Sequence, residues 1–323
     1  MWISKAELKS PSKFRERLSD YINSLRYEIS EKCGMYFDKE ELADLILSAC
    51  RSNDFNVLEE KNRDFRINLE RLEDWIYKKL VPNTLLLRLD DVDVIRLLIF
   101  CIEMTYEMFG GGSRATITQK GFRERRRTFE SILVDQFVGK LGEVFVKKYF
   151  ESNFKINVEL DWKISPEIEK FRNDLLNAEK NVSIKTSPTL AGIWAEADKG
   201  YDYGIMVKCR VPQQPIIQFF IEVCGFTRLL EFAENRIPED DKTFSVYLEK
   251  IKNRVREFKC GEIQTELKGF VCGYFQTADY ETIKEGVNLP YLGVVREERY
   301  IVPISELKWR KEDWKKFLQI LKL

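Results

Sequence analysis

Residues 173–186 read NDLLNAEKNVSIKT, and this segment decides the fold that the sequence predicts. Two short apolar runs flank a polar turn at residues 177–181, a pattern that predicts a β-hairpin. Because side chains alternate between the two faces of a strand, Ser183 and Lys185 should share one face while their apolar neighbours point into the core. The hairpin would then carry Asp174 alongside Lys185.

Helices and strands are predicted on both sides of this hairpin. Apolar residues recur at helical spacing across residues 122–150, and Gly139 and Gly142 lie about one turn apart there, so this long helix should pack closely on a sheet. The order of elements predicts an α/β layered core with a mixed sheet. The other predicted elements are strands at residues 155–161, 175–176, 182–186, 203–209, 216–223, 269–275 and about 300–302, and helices at residues 188–197, 229–235, about 244–258 and from Lys311.

The N-terminal third of the chain has a different pattern. Residues 1 to about 108 carry apolar residues at helical spacing and contain no chemical motif. The glycine triplet at residues 110–112 predicts a flexible joint after them. We therefore expect two domains: an all-helical domain at residues 1–112 and an α/β domain at residues 113–323, with its core at about 120–225 and a C-terminal extension at 236–323.

The composition excludes most catalytic machinery. The chain of 323 residues contains no histidine, which rules out Ser-His-Asp triads, Cys-His pairs and His-ligated zinc. Carboxylates remain, and they suit hard cations such as Mg²⁺. The seven cysteines are scattered, as expected for reduced cysteines in a cytoplasmic protein. The longest apolar stretch, residues 94–104, is too short to span a bilayer, so no membrane partner is expected.

Three acids and a lysine form the candidate catalytic set: Asp174, Glu143, Glu196 and Lys185. Glu143 lies on the long helix, and Glu196 on the helix expected after the hairpin. Carboxylates that converge there would hold Mg²⁺, or Mn²⁺ as its substitute, against a phosphate, and a bound ion lowers the pKa of an attacking water. A lysine beside the ion would orient that water or stabilise the developing charge. Asp161, at a predicted strand end, is an alternative first acid.

A basic segment precedes and includes the long helix. Residues 114–150 carry nine Lys or Arg and four Asp or Glu, a net charge of +5 in a chain that is formally neutral. Arginines at a helix N-terminus oppose the helix macrodipole, which favours a functional reason for them. Phosphate contacts with a nucleic acid would supply that reason. The expected DNA-binding residues are Arg114, Lys120, Arg123, Arg125, Arg126 and Arg127.

The hairpin resembles the motif of the PD-(D/E)xK nuclease superfamily, and in particular of type II restriction endonucleases. Asp174 matches the first acid of the motif, although Asn173 stands where the family has proline. Lys185 matches the motif lysine, and Ser183 occupies the position of the second acid. The resemblance covers about residues 120–225 and implies a restriction-endonuclease-like mixed-sheet core flanked by helices. The α/β domain at residues 113–323 would then be nuclease-like, and the helical domain at residues 1–112 would serve as a scaffold or in DNA recognition.

Two glutamates outside the hairpin extend the resemblance. In a subset of restriction enzymes a glutamate from the following helix fills the place of the missing second acid, and Glu196 is similar to that migrated residue. Glu143 resembles the glutamate often found on the first core helix of the family. The resemblance thus implies that Asp174, Glu196 and Glu143 bind the metal.

The function implied is a Mg²⁺-dependent endodeoxyribonuclease of the type II restriction class, which hydrolyses phosphodiester bonds in double-stranded DNA. A homodimer is expected, because two-fold symmetry suits the cutting of both strands at a palindromic site. Three alternatives stay open: a Holliday-junction or repair-type nuclease, a catalytically degenerate DNA-binding protein on the same fold with Ser183 marking the lost activity, and a helical protein with no nucleic-acid role.

Overall fold

The computed structural model describes residues 1–61, 64–110, 129–163, 173–211, 233, 242–257 and 266–323. The helices are α1 (Lys5–Lys9), α2 (Pro11–Arg17), α3 (Ser19–Cys33), α4 (Lys39–Ser52), α5 (Leu69–Trp75), α6 (Val92–Gly110), α7 (Phe129–Phe154), α8 (Lys242–Glu257) and α9 (Lys311–Leu321). The strands are β1 (Trp2–Ile3), β2 (Leu58–Lys61), β3 (Asp64–Ile67), β4 (Thr84–Arg88), β5 (Val182–Ser187), β6 (Trp194–Asp198), β7 (Tyr203–Lys208), β8 (Glu266–Gln276), β9 (Thr282–Ile283), β10 (Asn288–Leu289), β11 (Gly293–Val294) and β12 (Arg299–Pro303).

The chain divides into two compact units. The first consists of Met1–Leu85, Val138–Arg210 and Lys268–Leu323, and it contains all the candidate catalytic residues. The second consists of Leu86–Phe137 and Val211–Leu267. In the described part of the chain, no helix combines the length and the apolar character needed to cross a membrane.

The principal sheet is mixed, as the sequence predicts. Its four strands lie in the order β4-β8-β7-β5. Strands β5 and β7 run parallel, with Val182 opposite Tyr203, and β8 pairs with β7 in the antiparallel sense. Every residue of β7 is buried, which suits a central strand that is covered on both faces.

Aromatic packing from α7 and α9 covers one face of this sheet. Trp314 and Phe317 of α9 are fully buried. The ring of Phe317 stacks on Tyr274 of β8 with centroids 4.2 Å apart, and Trp314 lies 5.5 Å from Tyr149 of α7. These contacts explain why the amphipathic C-terminal segment forms the predicted helix, since its apolar side closes the core.

The N-terminal helices cover the other face and share its core. Phe270 of β8 meets the ring of Trp75 edge-on at 6.2 Å. Lys208 of β7, only 1% exposed, donates hydrogen bonds to the Ser48 hydroxyl of α4 and to the carbonyl oxygens of Leu190 and Gly192, the latter two at 2.8 Å. The N-terminal segment and the sheet therefore fold as one body.

The all-helical N-terminal domain is not confirmed. Strands β1, β3 and β2 form a three-stranded antiparallel sheet within the first 67 residues. The helices themselves agree with the predicted spacing, because Phe14, Ile22 and Ile29 are completely buried. The division into residues 1–112 and 113–323 stays a prediction.

Three predicted elements near β5 are wrong. Residues 188–197 do not form a helix, because the segment from Trp194 to Asp198 is strand β6, whose alanines are buried while its larger residues are half-exposed. The strands predicted at 155–161 and 175–176 reduce to one isolated bridge between Leu160 and Leu175. The strand predicted at 216–223 and most of the helix at 229–235 lie outside the described residues.

Helix α7 lies directly on β5, and Gly142 makes this possible. A Cβ atom added at Gly142 would stand 1.8 Å from Oγ1 of Thr186, whereas one added at Gly139 would meet nothing within 4 Å. The Thr186 hydroxyl donates a hydrogen bond to the Gly139 carbonyl oxygen at 3.0 Å. The close packing expected from the two glycines is thus confirmed, and it depends on Gly142 alone.

Gly142→Ala should therefore lower the free energy of unfolding by about 1–3 kcal/mol, since helix and strand must separate. Gly139→Ala is the matched control, and it should raise stability by about 0.5–1 kcal/mol because alanine favours a helix interior. Urea denaturation measures both. Adding Thr186→Ala to Gly142→Ala should recover part of the loss, and equal effects at the two glycines would contradict the packing described.

Candidate active site

Residues 173–181 form a turn before β5 and not the first strand of a hairpin, since Leu175 bridges to Leu160, but Asp174 still lies beside β5, as predicted. The Asp174 backbone N–H donates to the carbonyl oxygen of Val182 at 3.2 Å. The backbone N–H of Ile184 donates to Oδ2 of Asp174 at 2.6 Å, so the strand itself orients this carboxylate. Asn173 closes the turn, because its side-chain oxygen accepts from Val182 N at 3.0 Å and its amide donates to Lys180 O at 2.9 Å.

A second carboxylate reaches the same place from α7. Glu143 is buried, with 8% exposure, and its Oε2 lies 2.5 Å from Nζ of Lys140 one turn earlier. Lys140 also donates to the backbone carbonyl of Asp161. Asp161, the alternative first acid, is itself buried and acts electrostatically on both Glu143 and Asp174. Three acids therefore share one partly enclosed region.

Burial and mutual repulsion disfavour the ionised forms of these acids. Burial raises the pKa of Asp174 to about 6, although the Ile184 N–H, Lys140 and Lys185 act in the opposite direction. Burial first, and then the negative charge of Asp174, raise the pKa of Glu143 to about 8, against the opposing effect of Lys140. Ionisation of both acids near neutral pH therefore needs more positive charge than the nearby lysines supply.

Lys185 lies close enough to stabilise the charge of Asp174, but its direct partner is a residue that the sequence did not single out. Its Nζ is 2.6 Å from Oδ2 of Asp198 on β6. Tyr201 connects this pair to the acids, since burial, followed by the charges of Asp174, Asp198 and Glu143, raises its phenol pKa to about 12. Asp198 and Tyr201 therefore belong to the candidate site.

Glu196 has a different environment from the one expected. It lies on strand β6 and not on a helix, and its Oε2 accepts a hydrogen bond from Arg299 of β12 at 2.8 Å. Arg299 also lies 3.7 Å from Asp198. The alternation Trp-Ala-Glu-Ala-Asp could have revealed the strand, because small buried residues alternate with polar ones. The structure thus places Glu196 in an ion-pair network with Arg299.

Ser183, at the position of the motif's second acid, is 1% exposed. Strand β6 packs against β5 and β7 and covers the face expected to be open, while Val182 and Ile184 are buried on the other face, as predicted. Only from Lys185 onward does β5 become partly exposed. A carboxylate at position 183 would therefore be enclosed, so the acids of this site come from other elements.

The donor set suits a hard cation held by few protein ligands. Among the described residues, no group of three or more Asp, Glu or Cys side chains could hold a metal ion by itself. Mg²⁺ commonly binds one or two carboxylates and completes its coordination with water and substrate phosphate. Glu143 and Asp174 fit this pattern, because a divalent cation between them would favour the ionised forms that burial now disfavours.

The predicted DNA-binding residues cannot be placed. Arg114, Lys120, Arg123, Arg125, Arg126 and Arg127 all lie between residues 111 and 128, outside the described part of the chain. Comparisons with known proteins add no relative: no family model matches the chain, and neither the curated proteins nor the solved structures yield a match. The geometry and the charges of the candidate site are therefore what bears on its function.

Because the pKa of Glu143 is raised, the free energy of unfolding should depend on pH. Below pH 4.5 the carboxyl is protonated in both folded and unfolded chains, but between pH 4.5 and about 8 only the unfolded chain ionises, so folding weakens as the pH rises. Glu143→Gln removes this penalty. Its stability relative to wild type should grow over that range by about 1–3 kcal/mol.

Urea denaturation in EDTA across the same pH range measures the effect. The matched control is Glu179→Gln, on the turn before β5, where the carboxylate is 53% exposed and pairs with Lys322. Its effect should stay within about 0.5 kcal/mol at every pH. A flat difference between Glu143→Gln and wild type would show that the carboxyl is ionised normally.

Proposed function

We propose that this protein is a Mg²⁺-dependent endodeoxyribonuclease of the type II restriction class, which hydrolyses phosphodiester bonds in double-stranded DNA. The observation that supports it most is the approach of Asp174 and Glu143, two carboxyls with raised pKa values, beside the ammonium-bearing strand β5. Paired acids and a lysine beside a strand edge are the groups that metal-assisted phosphodiester hydrolysis requires.

Asp174 and Glu143 would hold the metal. Bound Mg²⁺ supplies charge neutralisation on the phosphate and lowers the pKa of an attacking water. Lys185 would orient that water or stabilise the negative charge that develops on the phosphate oxygens. Asp198 acts through Lys185 as a positioning residue, since it fixes the ammonium at 2.6 Å.

The substrate contacts and the assembly complete the proposal. Arg114, Lys120, Arg123, Arg125, Arg126 and Arg127 would bind DNA phosphates and give salt-dependent affinity. A homodimer would place one site on each strand of a palindromic sequence. The protein would act in the cytoplasm, with Mn²⁺ able to replace Mg²⁺.

Cleavage of supercoiled plasmid in Mg²⁺ tests the catalytic assignment. Asp174→Asn and Lys185→Ala should each slow cutting by roughly 10²-fold or more, because each removes a group placed at the reacting phosphate. The controls are Glu179→Gln and Lys199→Ala, which alter exposed ion pairs away from the acids. Wild-type cutting by both catalytic variants would refute the assignment.

The two carboxylates of β6 should respond differently. Asp198→Asn should slow cutting by about 10- to 100-fold, because Lys185 loses the charge that positions it, while the Mg²⁺ concentration for half-maximal cutting stays unchanged. Glu196→Gln should raise that concentration if Glu196 leaves Arg299 to bind the metal, as the sequence predicts. An unchanged Mg²⁺ requirement would remove Glu196 from the ligand set.

The burial of Ser183 favours one alternative, a DNA-binding protein that has lost catalysis, since no carboxylate occupies the motif position. Such a protein would bind DNA in EDTA and would cut it neither with Mg²⁺ nor with Mn²⁺. Melting curves separate the two possibilities without DNA: Mg²⁺ should raise the melting temperature of wild type, and should do so less for Glu143→Gln.

A further inference from the structure

A cavity of about 320 Å³ opens next to the candidate site. Lys185 forms part of its lining, together with two aromatic residues, Trp194 of β6 and Tyr291 of the β10–β11 turn. Small-molecule sites in proteins span about 300–1,000 Å³, so this cavity is at the small end and suits one nucleoside. It is too small for a segment of double helix.

The two aromatic rings are held in place by groups outside the cavity. Nε1 of Trp194 donates a hydrogen bond to the carbonyl oxygen of Pro290 at 2.7 Å. The guanidinium of Arg51 lies 4.2 Å from the ring centre of Tyr291. Arg51 also donates to the carbonyl oxygen of Ala191 at 3.2 Å, so it ties this ring to the loop that borders the cavity. Both rings are therefore positioned before any ligand arrives.

Tyr291 occupies this position at a conformational cost. Its φ is 62°, in the left-handed region that glycine adopts freely and bulky residues avoid. The residue remains 43% exposed, so burial offsets the strain only in part. A strained and exposed aromatic residue at the mouth of a cavity is typical of a ligand contact.

We propose that this cavity takes an unstacked nucleobase of the DNA substrate, with its sugar, from the nucleotide whose phosphate lies at Lys185. The proposal rests on the proposed function, which puts a DNA phosphate at that lysine. A base inside a duplex cannot enter a concave site, so the nucleotide must leave the stack, and aromatic side chains replace the contacts it loses. Trp194 and Tyr291 supply these contacts.

Binding of the four deoxynucleoside 5′-monophosphates, measured by titration calorimetry in EDTA, tests the proposal without cleavage. Wild type should bind at least one of them more tightly than deoxyribose 5-phosphate, which lacks the base. Tyr291→Gly and Trp194→Leu should weaken this binding by roughly 5- to 150-fold, the range expected for loss of one base–aromatic stack. Deoxyribose 5-phosphate should bind all variants equally.

The controls separate binding from folding. Tyr291→Gly should melt at or above the wild-type temperature, because glycine adopts the same φ without strain. Tyr36→Ala is the matched control, since Tyr36 is also exposed, at 50%, and carries Arg26 over its ring at 5.0 Å. It should bind the nucleotides as wild type does.

Nucleotide affinity unchanged by Tyr291→Gly, or no greater than that of deoxyribose 5-phosphate, would overturn the proposal. Failure of the proposed function looks different: wild type would then cut no DNA in Mg²⁺, whatever the nucleotide titrations show. Cutting by wild type combined with unaltered nucleotide binding in both cavity variants would remove the base site and leave the nuclease intact.

Discussion

The close approach of α7 to β5 at Gly142 is the constraint on which the candidate site depends. A side chain there would collide with Thr186, so helix and strand can meet only because residue 142 has no Cβ. The next residue along the helix, Glu143, therefore lies in the region that Asp174 reaches from the turn before β5. The absence of a side chain at residue 142 thus lets helix and strand pack closely enough to bring the two carboxyls together.

The charged side chains of the candidate site form two groups. Around Asp174 and Glu143, burial and the repulsion between the acids raise both pKa values more than the nearby lysines lower them. Around Lys185, the ammonium is matched by Asp198, and Arg299 balances Glu196. A bound cation would favour the ionised forms of Asp174 and Glu143, whereas Lys185 and Asp198 already neutralise each other. This arrangement is expected if the lysine must stay charged while the acids lose their protons on binding a metal ion.

The sequence predicted the parts of the fold whose local pattern agrees with their environment. The long helix, strands β5 and β7 and the polar turn before β5 followed from periodicity and turn chemistry, because apolar faces and polar turns are local properties. Strand β6 was missed although its residues alternate, because five residues also fit a short helix and the pairing with β12, about a hundred positions along the chain, decides between the two. Asp198 was missed with it, since only the strand directs its carboxylate towards Lys185.

The hydrogen bonds of Lys208 determine which fragments of the protein can fold by themselves. Its ammonium sits in the interior, and one of its acceptors, the Ser48 hydroxyl, comes from the N-terminal segment. A fragment lacking that segment would expose Phe270 and Met206 to water and leave the lysine with two carbonyl partners. Fragments made by expression or by protease digestion should therefore aggregate and not fold as a smaller domain. The reason is that the first compact unit is built from segments that lie far apart in the sequence.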